Sequence, residues 1–353
     1  MRITLIFVLI MLTSCTSQVD DPFDEFELNQ VELQLIDSFV PDFELNNPYR
    51  ILSLDSVIVM HDRISNGTDT YFLRILDAHS GESRRIFGRE GRVPQEFLFP
   101  IELSRTPGES GVLTANNRSL FEIKKISLSQ VLDDSSDFVL TIYRNFSNNY
   151  SRILALDSIH FFGSGYHGLD RYAIADSTGE IIRLWGDYPF PPSPKATTES
   201  LPMAYQSRMV AHPQGNLIAS VTNKSPNFEV LSIVGDSISY VNRLNFNPVS
   251  IKDDTNPGVI SVTYLEDNLH GYESIDANER FIYALYSGRP YSLDDYRYSD
   301  TVIMFDWSGN PVSKIKLPFV ISQLTVDQLG EFIYTISSNM DGEPVLSKFK
   351  IVN

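Results

Sequence analysis

Along the 353 residues, short runs of β-branched, aromatic and aliphatic side chains recur directly after a turn-forming residue. They are Val57 to Met60, Val112 to Ala115, Ile159 to Phe162, Leu217 to Ser220, Phe281 to Ala284 and Phe332 to Thr335. Their first residues lie 55, 47, 58, 64 and 51 positions apart. Each run is too short for a helix, and its composition suits a buried strand. A polar loop and another strand follow every copy: Tyr71 to Asp77, Leu120 to Ile126, Arg171 to Asp176, Phe228 to Val234, Thr301 to Asp306 and Val345 to Val352. Three of these enter Asp-to-Gly turns, Asp77 to Gly81, Asp176 to Gly179 and Asp306 to Gly309, where Asp caps backbone amides and Gly takes positive φ. A further strand comes after each turn, in Arg84 to Gly88, Ile181 to Gly186 and Val312 to Leu317.

Six such units at this spacing predict an all-β chain, a six-bladed β-propeller with four strands per blade. The sixth unit has no fourth strand before Asn353. The strand-like segment Val31 to Val40 is expected to complete it from the N-terminal side, closing the ring and removing an exposed edge. Helical pattern is confined to Thr198 to Met209, after the prolines at 189, 191, 192 and 194, and reads as a surface insertion.

The N-terminus breaks the strand pattern. Met1 and Arg2 precede an apolar run from Ile3 to Leu12 interrupted only by Thr4, then Thr13, Ser14 and Cys15. A mature membrane span needs about 20 apolar residues, so this run reads as a secretion signal. Leu12-Thr13-Ser14-Cys15 resembles the bacterial lipobox, whose cysteine carries the lipid. Cys15 is the only cysteine of the chain and is assigned as the lipidation site, which leaves no disulfide to hold the exported part together. The expected organisation is a signal peptide at 1–14, a lipidated tether at 15–29 and the propeller at 30–353. Thr16 to Pro22 is polar and acidic and resembles the signal that sends some Bacteroidota lipoproteins to the cell surface. The expected location is the cell envelope, anchored to the outer membrane through Cys15.

The formal net charge is −17, and removing 1–14 deletes only the positive Arg2, leaving −18. This argues against nucleic acid or an anionic lipid surface as a broad partner. A monomer is expected.

Phe87-Gly88-Arg89-Glu90-Gly91-Arg92-Val93-Pro94-Gln95-Glu96-Phe97 resembles the crossover motif of TolB-like and NHL-like six-bladed propeller lipoproteins, with departures at Val93 and Gln95. Phe281 to Arg289 is similar to a further segment of that family. The resemblance implies the fold and an envelope location and carries over no catalytic residue. Arg89 and Glu96 are expected to lock neighbouring blades together.

The loops between second and third strands of a propeller gather on one face around the channel. They bring Arg63, Arg118, Tyr166, His167, Lys224 and Arg289 to that face as candidate ligand-binding residues, a cationic group in an acidic protein. Guanidinium groups bind carboxylates bidentately, so the expected ligand is an anionic glycan, a peptide or an envelope protein. Tyr166, Tyr286 and Tyr291 are candidates for stacking on sugar rings.

No GxSxG elbow, HExxH zinc motif or phosphate-cradling glycine loop occurs, and the six histidines are scattered. No cofactor is expected. The one metal considered is Ca²⁺ at the channel, with Asn116, Asn339 and Asp341 as ligands. The leading expectation is a non-enzymatic binding module, the alternative a hydrolase or lyase acting on an exported carbohydrate-type substrate at the channel. Asp55-Ser56-Val57, Asp157-Ser158-Ile159, Asp236-Ser237-Ile238 and Asp300-Thr301-Val302 resemble an O-glycosylation sequon, and turn chemistry accounts for them equally well.

Overall fold

The computed structural model describes residues 21–352 apart from 37–38, 40, 134–139, 147–149, 236 and 255–259. Cys15, with the signal and the first part of the tether, lies outside the described residues. The chain forms a six-bladed propeller. Blade 1 contains Arg50–Leu54, Val57–Ser65, Thr70–Asp77 and Ser83–Arg89, paired antiparallel in that order from the channel outward. Blade 2 contains Ile101–Arg105, Val112–Asn117, Glu122–Ser127 and Thr141–Tyr143; blade 3 contains Tyr150–Ala155, His160–His167, Asp170–Asp176 and Ile181–Trp185. Blade 4 contains Ser207–Ala211, Leu217–Thr222, Phe228–Val234 and Ser237–Leu244.

Blades 5 and 6 share one long strand. Pro311–Val326 pairs by its first part with Ser299–Asp306 as the outer strand of blade 5 and by its second part with Phe332–Ser338 as the inner strand of blade 6. The remaining blade 5 strands are Tyr272–Ala277 and Phe281–Tyr286, and blade 6 continues through Pro344–Val352. Its fourth strand is Asn29–Leu35, antiparallel to Pro344–Val352 with Glu32 opposite Val352 and Leu35 opposite Phe349. The ring is therefore closed from the N-terminal side, in a strand that starts two residues before the expected Val31. The same strand runs parallel to Ser313 to Ile315 and so ties blade 5 to blade 6.

The second and third strands carry the core because their side chains pack against neighbouring blades on both faces. Ile58, Val59 and Met60 have no exposed area, and Phe228 of blade 4 stacks on Phe305 of blade 5 at 3.8 Å between centroids. The crossover from blade 1 to blade 2 depends on a glycine. Gly88 has φ +72°, and a Cβ there would lie 3.1 Å from the ring of Phe97, which is fully buried. The Lys124 ammonium, buried above that ring at 4.6 Å, donates to the Pro94 carbonyl at 2.9 Å and to that of Glu96. Arg89 lies 3.4 Å from Asp69 and 3.5 Å from Glu96, contacts within blade 1 and its own crossover, so the expected lock between blades is made by Lys124 rather than by Arg89.

Two boundaries differ from the sequence reading. Residues 21–28, expected within the tether, are packed: Phe23 is buried among Phe246, Tyr286 and Phe305, and Asp21 pairs with Lys314 at 2.7 Å. The helix expected over Thr198 to Met209 is reduced to a 3-10 turn, Thr198–Ser200, and one α turn, Leu201–Ala204. Ser207 already begins the inner strand of blade 4, where it pairs with Thr222, because Met209 is drawn into the core between blades 3 and 4.

Candidate functional site

The inner strands escaped the sequence reading, and they build the site. Near its channel-mouth end each presents one long polar side chain: Arg50, Glu102, Arg152, Arg208, Glu273 and Gln323 from blades 1 to 6. Glu102 accepts from Arg50 Nε at 2.9 Å and lies 3.3 Å from Arg152 Nη2, while Arg50 Nη1 donates to Gln323 at 2.8 Å. Arg208 Nη2 reaches Glu273 at 3.3 Å, and the other oxygen of Glu273 is 2.7 Å from His270 Nε2. The cavity between these strands has a volume of about 70 Å³, enough for a few waters or a small anionic group.

The hydrogen bonding is incomplete. Arg152 Nε, Arg208 Nε and Nη1, and His270 Nδ1 are buried and have no partner among the described residues. Burial first, and then the like charges of Arg50 and Arg152, push Arg208 down to about 9, so it stays cationic at neutral pH. Burial works against ionisation of Glu102 and Glu273, but Arg152 and Arg50 around the former, and His270 and Arg208 around the latter, hold each carboxyl at about 2. With Lys224 and Arg297 at the rim, five cations face two carboxylates. Buried guanidinium groups with unused donors and this charge excess are the chemistry that suits an anionic group.

The opposite end of the channel is filled from within. Arg105 binds both oxygens of Asp276, one of them at 2.9 Å, and donates to the carbonyls of Ser53 and Val326 at 3.0 and 2.9 Å. Its charge is matched there, so among the described residues the unpaired guanidinium donors that face the channel lie at the mouth.

Of the six sequence candidates, Lys224 joins this cluster. Its ammonium lies over Tyr264 and Tyr291 at 5.2 and 5.3 Å, and burial, reinforced by Arg297, brings it down to about 8. Burial, and then the nearby Tyr166, raises the pKa of Tyr264, over which Lys224 sits, so Tyr166 lies close to the cluster; the other four do not converge. Arg63 is exposed and 3.7 Å from Glu90; Arg289 is bound to Asp295; Arg118 sits on a 3-10 turn and makes no ion pair among the described residues. His167 packs edge-on against Tyr150 at 5.0 Å, with burial lowering its pKa, and Tyr166 is half-buried nearby. Tyr286 is buried against Phe23, and Tyr291 stacks on Tyr296 at 4.2 Å, so neither offers a free face to a sugar. Among the calcium candidates, Asn339 already accepts from the amides of Asp341 and Glu343 at 3.0 and 2.9 Å, and Asn116 belongs to blade 2. No cluster of three His, Cys, Asp or Glu suited to a metal occurs among the described residues.

One signal for the missed residues is visible in retrospect. Arg50-Ile51-Leu52, Arg152-Ile153-Leu154 and Arg208-Met209-Val210 repeat an Arg-apolar-apolar triplet ahead of the second strand of three blades.

The family described as TolB-like 6-blade propeller-like matches residues 22–329. The chain belongs to this family. Among solved structures, this TolB-like propeller is similar to a Bacteroides fragilis protein described as exported, with TM-score 0.55 and 12% identity over 92% of this chain and 96% of that one. A Bacteroides vulgatus member of the DUF4221 family matches with TM-score 0.49 and 12% identity over 93% of this chain and 100% of the other. At such identities the first likeness speaks for the fold alone. No curated protein matches the TolB-like chain.

Proposed function

We propose that the protein is an exported, lipid-anchored propeller of the cell envelope that binds a carboxylate-bearing ligand at its channel mouth without turning it over. The apolar run Ile3 to Leu12 and the lipobox resemblance ending at Cys15 support export and attachment to the outer membrane, and the Bacteroides fragilis structural neighbour is described as exported. The observation that carries the binding role is the set of unpartnered donors on Arg152 and Arg208 within a net cationic ring. A carboxylate satisfies two such donors at once and offsets the charge excess.

Calorimetric titration with D-glucuronate and with D-glucose tests this reading. Saturable binding of glucuronate, none of glucose, and a loss of roughly 10-fold or more in Arg208→Gln are expected. That variant removes one of three crowded arginines while Glu273 keeps its bond to His270, so it is expected to fold. Equal responses to both sugars, or a glucuronate response unaffected by the substitution, contradict the proposal.

A further inference from the structure

A second cavity opens beside the channel mouth, between blades 5 and 6, with a volume of about 700 Å³. It is joined to the arginine ring through shared residues. Gln323 lines both cavities and accepts from Arg50, while Glu273, on the groove wall, accepts from Arg208. Farther out the wall carries Tyr298, Val320 and Met340, exposed by 58%, 37% and 105%. Between these apolar groups stand Ser337 and Ser338, whose hydroxyls make no hydrogen bond among the described residues.

The geometry points to one ligand class: the free C-terminal end of an extended peptide, with its carboxylate on Arg152 and Arg208 and its last side chains in this groove. The inference rests on the carboxylate reading of the channel mouth and adds what the carboxylate is attached to. The groove volume falls in the range of about 300–1,000 Å³ common for ligand sites. Capture of a terminal carboxylate with adjacent apolar anchoring is an established mode of peptide recognition. A glycan is disfavoured because Val320 and Met340 give nothing to sugar hydroxyls and the other tyrosines stack on one another. An alkyl chain is disfavoured because it would leave the two serine hydroxyls unserved, whereas peptide N–H and C=O groups pair with them. Met340, flexible and polarisable, suits variable apolar side chains.

The test is fluorescence anisotropy of the folded chain from residue 21 with N-terminally labelled tetrapeptides ending in Leu, Val or Phe, each as free acid and as C-terminal amide. Glucuronate serves as competitor. At least one free acid is expected to bind and to be displaced by glucuronate, with the amide roughly 10-fold weaker or worse. Tyr298→Ser with Met340→Ser, both on the surface, is expected to weaken the peptide several-fold and leave glucuronate binding unchanged. If glucuronate binds in calorimetry but acids and amides bind alike, or the double substitution does nothing, the peptide inference is overturned and the carboxylate site stands. If neither glucuronate nor any acid binds, both fall.

Discussion

Two buried arginines of this propeller differ in how fully their charge and donors are met. Arg171 has both terminal nitrogens bound and only Nε without a partner among the described residues: Nη1 is 2.7 Å from Glu229, and Nη2 donates to Ser207 and Thr222 at 3.0 and 3.1 Å. Glu229 also receives Arg243 Nε at 2.7 Å and the Tyr172 hydroxyl at 2.5 Å, which locks blades 3 and 4. Arg208 has one carboxylate contact and two idle donors. Glu229→Leu should therefore cost about 3–5 kcal/mol in urea unfolding, since it strands two guanidinium charges. Arg208→Gln should cost far less, because it relieves repulsion from Arg50 and Arg152. Gly271 matters for a related reason: a Cβ there would lie 2.0 Å from the Ser225 carbonyl, so this glycine lets blade 5 approach the loop that carries Lys224. At this scale the sequence was least legible. Arg50, Arg152 and Arg208 look like ordinary surface charges until ring closure brings strands about 50 residues apart into contact. Arg63 and Arg289 looked like site residues because a blade repeat places a loop on a face without saying which way its side chains turn.

Elements were more readable. All six second strands and all six third strands occur where β-branched and aromatic runs indicated, because those strands are buried on both faces and must be apolar along their length. The closing strand was legible from a count: five blades had room for a fourth strand, the sixth did not, and an unassigned strand preceded the first. The inner strands, five or six residues with mixed composition, gave no comparable signal. Nor did the packing of Phe23, since an acidic segment looks like linker until blades 4 and 5 supply the aromatic cage. Phe23→Ala should lower stability by about 3–5 kcal/mol, measured by urea unfolding. No change would return residues 21–28 to the tether.

For the molecule as a whole, acid should be destabilising in a defined window. Glu102 and Glu273 titrate at about 2 when folded, below the ordinary 4.5, so the unfolded chain binds more protons between those values. Their contribution is complete above about 4.5 and lost as pH falls through 2, on the order of 3 kcal/mol for each group. Denaturation curves at pH 3 and pH 6 check the direction. Ligand affinity should move the other way at high pH, falling as Lys224 loses its proton near 8. The proposed attachment to the envelope is separable from both effects: if Cys15 carries the anchor, Cys15→Ser should release the chain from membranes with its unfolding curve unchanged, as read by fractionation and denaturation of the released protein.

The most direct test of the channel-mouth site is a ¹⁵N–¹H titration of the arginine Nε–H signals with glucuronate. The Arg152 and Arg208 signals, whose Nε–H groups lack partners among the described residues, should shift saturably, while Arg105, whose Nε–H is bound to the Ser53 carbonyl, stays still. Saturable shifts confined to exposed arginines such as Arg63 and Arg89, or none at all, would contradict a carboxylate site at the channel mouth.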